Sequence, residues 1–258
     1  MYLADFHIHS NFSDGKYSIP FLVDYFGKRN FGAIAITDHY CEQSSLIGKA
    51  SSYLGVTLTR ATLPLYREIL KSEKVRAWEQ YRMQLIPGLE ITKNSISNHR
   101  SAHFLVLGTL ENIDPSEDIS VTSQKARSQG GVVIAAHPVS TRKLEKQTYH
   151  LWERREELRD SVDAWEVASG PFWFNEVERA GLPLIANSDF HTEKNLTSWK
   201  NLMACEKHPE AILRAIKTQQ LDFHFYREEP IHDSLIRVLS RTLDSQLGTA
   251  PLGHSLSF

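Results

Sequence analysis

The chain is punctuated by short apolar runs, and histidines or carboxylates stand at or beside the ends of several of them. The runs are Tyr2–Phe6, Ala33–Thr37, Gln84–Ile86, His103–Leu107, Val132–Ala136, Val162–Val167 and Leu182–Ala186, with weaker ones at Leu202–Cys205 and Leu221–Tyr226. Several are continuous rather than alternating, the pattern of strands buried on both faces of a parallel sheet. Between them lie helix-length stretches at Ser18–Asn30, Thr62–Tyr81, Ser116–Gln129, Leu144–Arg159, Phe172–Ala180 and Pro209–Gln219, several closed by glycine. Strand alternating with helix over 258 residues predicts an α/β fold, either a barrel of β/α units or a doubly wound sheet.

The residues at the run ends carry the chemistry. In "MYLADFHIHSNFSDG", His7 and His9 stand two apart at a strand end, with Asp14 following. Residues i and i+2 of a strand point the same way, so both imidazoles share one face. His39 follows the second run, His137 the run "VVIAA", and His191 the run "LIANSDF"; Glu90 and Asp189 occupy similar places. In β/α barrels the active site lies at the C-terminal strand ends. Such strand ends meeting there would build a polynuclear site of nitrogen and oxygen ligands. His103 is the awkward member because it precedes its run, and His99 competes for its place.

The composition narrows the alternatives. A net charge of −2 writes no broad attraction to nucleic acid or acidic lipid into the chain, though a local basic groove stays open. Cys41 and Cys205 make neither a disulfide framework nor a zinc ribbon, and no run approaches the length of a membrane span. A cytoplasmic protein is the expectation. Serine-nucleophile, P-loop and dinucleotide-binding signatures are missing.

Taken in order, "DFHIHSNFSDG", "AITDH", "IPGLEI", "HFLVLG", "IAAHP" and "NSDFH" resemble the PHP (polymerase and histidinol phosphatase) family over residues 5–191. The resemblance implies a distorted, TIM-like (β/α)7 barrel with two or three divalent ions, zinc, manganese or iron, in its mouth. It implies metal-dependent hydrolysis of a phosphoester by a metal-activated water. Family members include histidinol-phosphate phosphatases, nucleotide phosphatases, oligonucleotide exonucleases and a domain of bacterial DNA polymerases. Carried over residue by residue, His7, His9 and Asp189 hold the first ion, and Glu90 bridges it to a second held by His103 and His137. Asp14, His39 and His191 form the third set, and Glu90, Asp189 and His191 are the catalytic positions. The expected substrate is a small phosphomonoester, a nucleotide or a short oligonucleotide. Two other readings compete. One is a non-catalytic, metal-stabilised binding module; the other is an amidohydrolase, which also opens with HxH.

Other residues have more than one reading. Asp38 either orients a metal-binding histidine or caps the turn after its strand. Arg142 is a candidate phosphate clamp, Lys143 a weaker one. Trp165, Phe172, Trp173 and Phe174 read mostly as core, with one free to stack on a base. Glu166 alternates with buried positions in "DAWEVA" and is given no role. Cys41–Arg82 is long for one connection and reads as a helical insertion after the second strand. Its Arg60, Arg67, Lys71, Lys74 and Arg76 would turn positive charge toward an anionic substrate. The expected organisation is a barrel over residues 1–229, with insertion 41–82, followed by a C-terminal helix and tail over 230–258.

Overall fold

A computed structural model of the protein describes residues 1–41, 55–93, 102–139 and 150–228. Eleven strands form one mixed sheet. They are β1 (Tyr2–Asp5), β2 (Ala33–Ile36), β3 (His39–Cys41), β4 (Gln84–Lys93), β5 (Ala102–Leu107), β6 (Val132–Ala135), β7 (Ala164–Ser169), β8 (Phe172–Trp173), β9 (Leu184–Asn187), β10 (Ser198–Met203) and β11 (Leu221–Tyr226). The helices are α1 (Ile19–Gly27), α2 (Leu63–Tyr81), α3 (Ile119–Ser128), α4 (His150–Glu153), α5 (Asn175–Glu178) and α6 (Pro209–Lys217). The order across the sheet is β11-β10-β1-β2-β4-β5-β6-β7-β8, with β3 paired to β4 and β9 to β7.

The continuous apolar runs are explained by two cores, one on each side of the sheet. In β2, Ala33 and Ala35 belong to one cluster and Ile34 and Ile36 to the other. The larger side chains pack beneath α1 and α2, against Leu22, Phe26 and Leu70. The smaller ones share their core with Ile134, Ile185 and the apolar face of α6, Ile212 and Ile216. Each such aliphatic side chain contributes about 1.5–3 kcal/mol when fully buried. Two-sided burial therefore selects these runs as strands.

The sheet curls so that its last strands return to its first. Beyond β1, the His9 N–H donates to the Phe190 carbonyl at 2.8 Å, and the Phe190 N–H donates to the His7 carbonyl at 3.0 Å. Between β9 and β10 the Asn201 side-chain amide substitutes for backbone pairing. It accepts from the Ala186 N–H at 3.1 Å and donates to the Ala186 carbonyl at 2.6 Å.

Several expectations change. The sheet is mixed, not parallel: β5 runs antiparallel to both β4 and β6, and β10 to both β1 and β11. Reversal of β5 brings its first residues to the end where the parallel strands finish. Phe172–Ala180 is not one helix. Phe172 and Trp173 pair back onto Ser169 and Ala168 after Gly170 turns the chain at φ 58°, leaving a single helical turn. Within Leu144–Arg159, residues 144–149 lie outside the described ones, and a single helical turn, α4, is found at His150–Glu153. The weak run at Leu202–Cys205 becomes a strand that starts earlier, at Ser198.

The segment expected as an insertion is described from residue 55 on. There α2 forms the crossover between β2 and its parallel neighbour β4. Tyr66 is fully buried and donates its hydroxyl to the carbonyls of Ile36 and Gly88, which fastens α2 to both strands. Arg60 pairs with Asp114, Arg67 with Glu111, and Arg76 with Asp24 and Glu73. These three cations are paired with protein acids, and the Arg60 side chain remains 77% exposed. The predicted C-terminal helix and tail, and the clamp candidates Arg142 and Lys143, lie outside the described residues, as does His99.

Candidate metal centre

The parallel strands finish at one end of the sheet, and the histidines gather there. Glu90, in the far half of β4, lies at the middle with no solvent exposure. Its Oε2 faces His39 Nδ1 at 2.9 Å, His9 Nε2 at 3.3 Å and His7 Nε2 at 3.4 Å. Its Oε1 faces His103 Nδ1 at 3.1 Å and His137 Nε2 at 3.4 Å. The two oxygens thus look into two different imidazole sets. His103 reaches this point because β5 is reversed, which resolves its odd place before the run.

Asp189 adds a second carboxylate, its Oδ1 3.3 Å from His9 Nε2 and 3.4 Å from His7 Nε2. Asp14, His39 and His191 lie on the open side. Asp14 Oδ1 is 3.2 Å from His191 Nε2, and its Oδ2 is 3.6 Å from His39 Nε2. Four groups of ligand atoms each fall within 4.8 Å of one another: His7, His9 and Glu90; Glu90, His103 and His137; His7, His137 and Asp189; and His9, Asp14, His39 and His191. All nine residues singled out from the sequence are therefore brought together.

The loop carrying Asp14 is built by its own short side chains. Asp38 is buried and accepts from the Ser10 N–H at 2.8 Å, the Ser10 hydroxyl at 2.7 Å and the Ser13 hydroxyl at 2.6 Å. Its partners lie on the loop after β1, not in the turn after its own strand, so Asp38 braces that loop. Gly15 closes the loop against the backbone, where a Cβ would lie 2.2 Å from the His9 carbonyl oxygen. His137 and Asp189 have positive φ, 27° and 52°. Such conformations are costly for residues other than glycine and cluster at functional sites.

Electrostatically the cluster asks for cations. Burial pushes the Glu90 carboxyl up, but His39, His7 and His103 outweigh it and hold the group well below its ordinary range. Asp189 and Asp14 are likewise held low by the imidazoles against burial. His9 is pushed down to about 3, by burial first and then by His39. It is therefore neutral at pH 7, as a metal ligand must be. His7 Nε2, His9 Nε2, both Glu90 oxygens and both His103 ring nitrogens are buried without an aligned hydrogen bond. Buried polar atoms are seldom left so. Among the described residues, the ion pairs of Glu90, Asp14 and Asp189 are with histidines alone. A set of neutral imidazole nitrogens around carboxylate oxygens is the donor set of zinc, manganese or iron, and the residues fit divalent ions.

Sequence reasoning left out several polar groups. Glu166, fully buried on β7, receives the His7 ring at Nδ1. Thr92 Oγ1 lies 2.8 Å from His39 Nδ1. Asp5 and Lys200, both without exposure, pair at 2.8 Å beneath Ser188. The available signal was a charge inside an apolar run, as in "LADF" and "AWEVA". Of the aromatics, Trp165 is core and packs edge-on to Trp152, and Trp173 packs against Trp199 and Phe223. Phe172 is 67% exposed.

The PHP domain family model matches residues 5–112. No curated protein matches the chain. A two-domain protein from Bacteroides vulgatus ATCC 8482, containing a predicted PHP-like metal-dependent phosphoesterase, is similar in structure with a TM-score of 0.65 and 21% identity. That likeness covers 87% of this chain and 65% of the other, so the chain spans less than two thirds of that protein's length. PsfC from Pseudomonas syringae PB-5123 is similar at a TM-score of 0.55 and 14% identity, over 95% of this chain and 98% of its own. At such identities the likeness concerns the fold.

Proposed function

Because this chain carries a PHP domain, recognised over residues 5–112, we propose that it is a metal-dependent hydrolase of phosphoesters. The observation that carries the reading is Glu90, a fully buried carboxylate whose two oxygens face separate imidazole sets. That is the place of a bridging ligand. In this reading His7, His9 and Asp189 hold one ion, Glu90 shares it with a second held by His103 and His137, and Asp14, His39 and His191 take a third. Divalent ions there neutralise phosphate oxygens and lower the pKa of a bound water.

The protein's own groups shape the rest. Of the inner ligands, His7, His9, Glu90, His103 and His137 are buried, while Asp189 keeps a side-chain exposure of 30% and Asp14, His39 and His191 keep 39%, 16% and 28%. A phosphorylated substrate therefore arrives on that open side. Its class is a small phosphomonoester, a nucleotide or a short oligonucleotide, with Arg142 a proposed phosphate contact. The curled sheet is read as the distorted (β/α)7 barrel of the family, with the catalytic unit ending near residue 229. Both cysteines are free, in keeping with a cytoplasmic enzyme. Among the described residues no helix is long and apolar enough to cross a membrane.

The test is elemental analysis of protein purified without chelator, together with turnover of an aryl phosphate. Two or three equivalents of divalent metal are expected, with turnover lost in Glu90→Gln and Asp189→Asn. Metal-free protein that hydrolyses the ester at the same rate, or either variant with wild-type turnover, overturns the reading.

A further inference from the structure

Glu166 lies within an otherwise apolar stretch of β7, between Trp165 and Val167, and has no solvent exposure. Three nitrogens converge on its carboxylate. His7 Nδ1 and Asn187 Nδ2 each lie 2.9 Å from Oε1, and the His137 backbone N–H donates to Oε2 at 2.6 Å. An ionised carboxylate only accepts, so all three must donate. A buried carboxylate without such donors would be strongly destabilising, which makes the arrangement mutually enforcing.

The consequence falls on His7. With a proton on Nδ1, the neutral ring carries its lone pair on Nε2. That atom lies 3.4 Å from Glu90 Oε2 and 3.4 Å from Asp189 Oδ1, with no hydrogen bond. A lone pair facing two carboxylate oxygens is repulsive unless a cation lies among them. The other two contacts act on the same group. His137 is itself a candidate ligand, held at φ 27°, and Asn187 stands two residues before Asp189. His7, His137 and Asp189 are one of the four candidate ligand groups. Glu166 touches each member or its near neighbour, and it touches no member of the outer group, His9, Asp14, His39 and His191.

We infer that Glu166 is the positioning residue of the His7–His137–Asp189 group, fixing His7 with Nδ1 protonated and Nε2 aimed into the centre. Its oxygens accept from the three donors, and it belongs to none of the four candidate ligand groups. Metal-binding histidines are commonly oriented by an acceptor on their second nitrogen, and losing that acceptor weakens metal affinity about 10–100-fold. Glu166→Gln is nearly isosteric, yet its amide sets a donor against at least one of the three donors whichever way it is turned.

The inference rests on the metal-dependent reading above, and two measurements separate their failures. Long-range 1H–15N spectra of metal-stripped wild-type protein, taken at a pH where His7 is neutral, should show its proton on Nδ1. A proton on Nε2 overturns the inference whether or not the protein is an enzyme, and this spectrum decides the matter even if the variant does not fold. Titration of Glu166→Gln with zinc should show the ions held through His7 and His137 bound about 10–100-fold more weakly, and the outer ion of Asp14, His39 and His191 bound as in wild type. Equal affinity for every ion overturns the inference and leaves the phosphoesterase reading intact. Failure of wild-type protein to turn over phosphoesters would sink that reading without touching the spectrum.

Discussion

Replacing Lys200 by Met should destabilise the protein sharply, although Lys200 is not among the candidate ligands. Asp5 and Lys200 are both without exposure, and their Nζ···Oδ2 separation is 2.8 Å. Burial lowers the Lys200 pKa, against the pull of Asp5, so the ammonium is retained only because the carboxylate is beside it. Methionine keeps most of the aliphatic stem and removes the charge, leaving the buried Asp5 carboxyl group without its cation. Breaking a buried pair in this way costs about 3–5 kcal/mol. Asp5 keeps two donors, the Ser188 N–H at 3.1 Å and the Ser188 hydroxyl at 2.5 Å. The expected loss is therefore at the lower end, about 3 kcal/mol. At about 2–4 °C per kcal/mol for a chain of this size, Tm should fall by roughly 6–12 °C. Thermal unfolding of metal-free protein followed by circular dichroism measures it. The double variant Asp5→Asn/Lys200→Met removes the unpaired carboxyl group and keeps an acceptor for Ser188, so it should be more stable than Lys200→Met alone. A single variant that loses under about 1 kcal/mol, or a double variant worse than the single, would refute the reasoning.

Two further outcomes follow from the centre and its loop. The pKa values of His7, His39, His137 and His191 are raised because carboxylates, chiefly Glu166, Glu90 and Asp14, outweigh burial, so in metal-free protein these rings hold their protons to higher pH than free imidazoles. Ligands must be neutral to bind, so metal uptake should release protons and affinity should rise with pH; calorimetry in buffers of different ionisation heat measures this, and uptake without proton release would contradict it. The same raised values stabilise the metal-free fold below the unfolded histidine pKa and are lost as pH rises through the folded ones. Gly15→Ala forces its methyl onto the His9 carbonyl oxygen, so it should cost about 1–3 kcal/mol and weaken the outermost ion through Asp14, with chemical denaturation and metal titration as the measures.

The candidate ligands were legible in the sequence because most of them stand at or near the end of an apolar run, and HxH spacing on a strand is a local property. Strand direction was not. Periodicity is the same read either way, so nothing in "HFLVLG" said that β5 is reversed, and His103 looked misplaced for that reason alone. Glu166 and the Asp5–Lys200 pair were missed because their partners lie far along the chain; a lone acid in an apolar strand announces a partner without naming it. The length of Cys41–Arg82 suggested a helical insertion, and its described part contains the helix that crosses over between a parallel strand pair, held by the Tyr66 hydroxyl. Aromatic "PFWF" could be written as helix or strand, and the turn at Gly170 decided it.

The hydrogen bonds joining His7 and His9 to Phe190 also bear on when the centre can exist. His7 and His9 are synthesised about 180 residues before Asp189 and His191. A nascent chain carries the first imidazoles exposed, with neither the pairing backbone nor the matching carboxylate. Contacts so distant in sequence form slowly, because the entropy of closing the loop must be met first. On the metal-dependent reading, capture of an ion by the complete set would be a terminal event of biogenesis. Until then His7 and His9 would offer only an incomplete chelator, and the choice of ion would fall to the closed cage rather than to first contact.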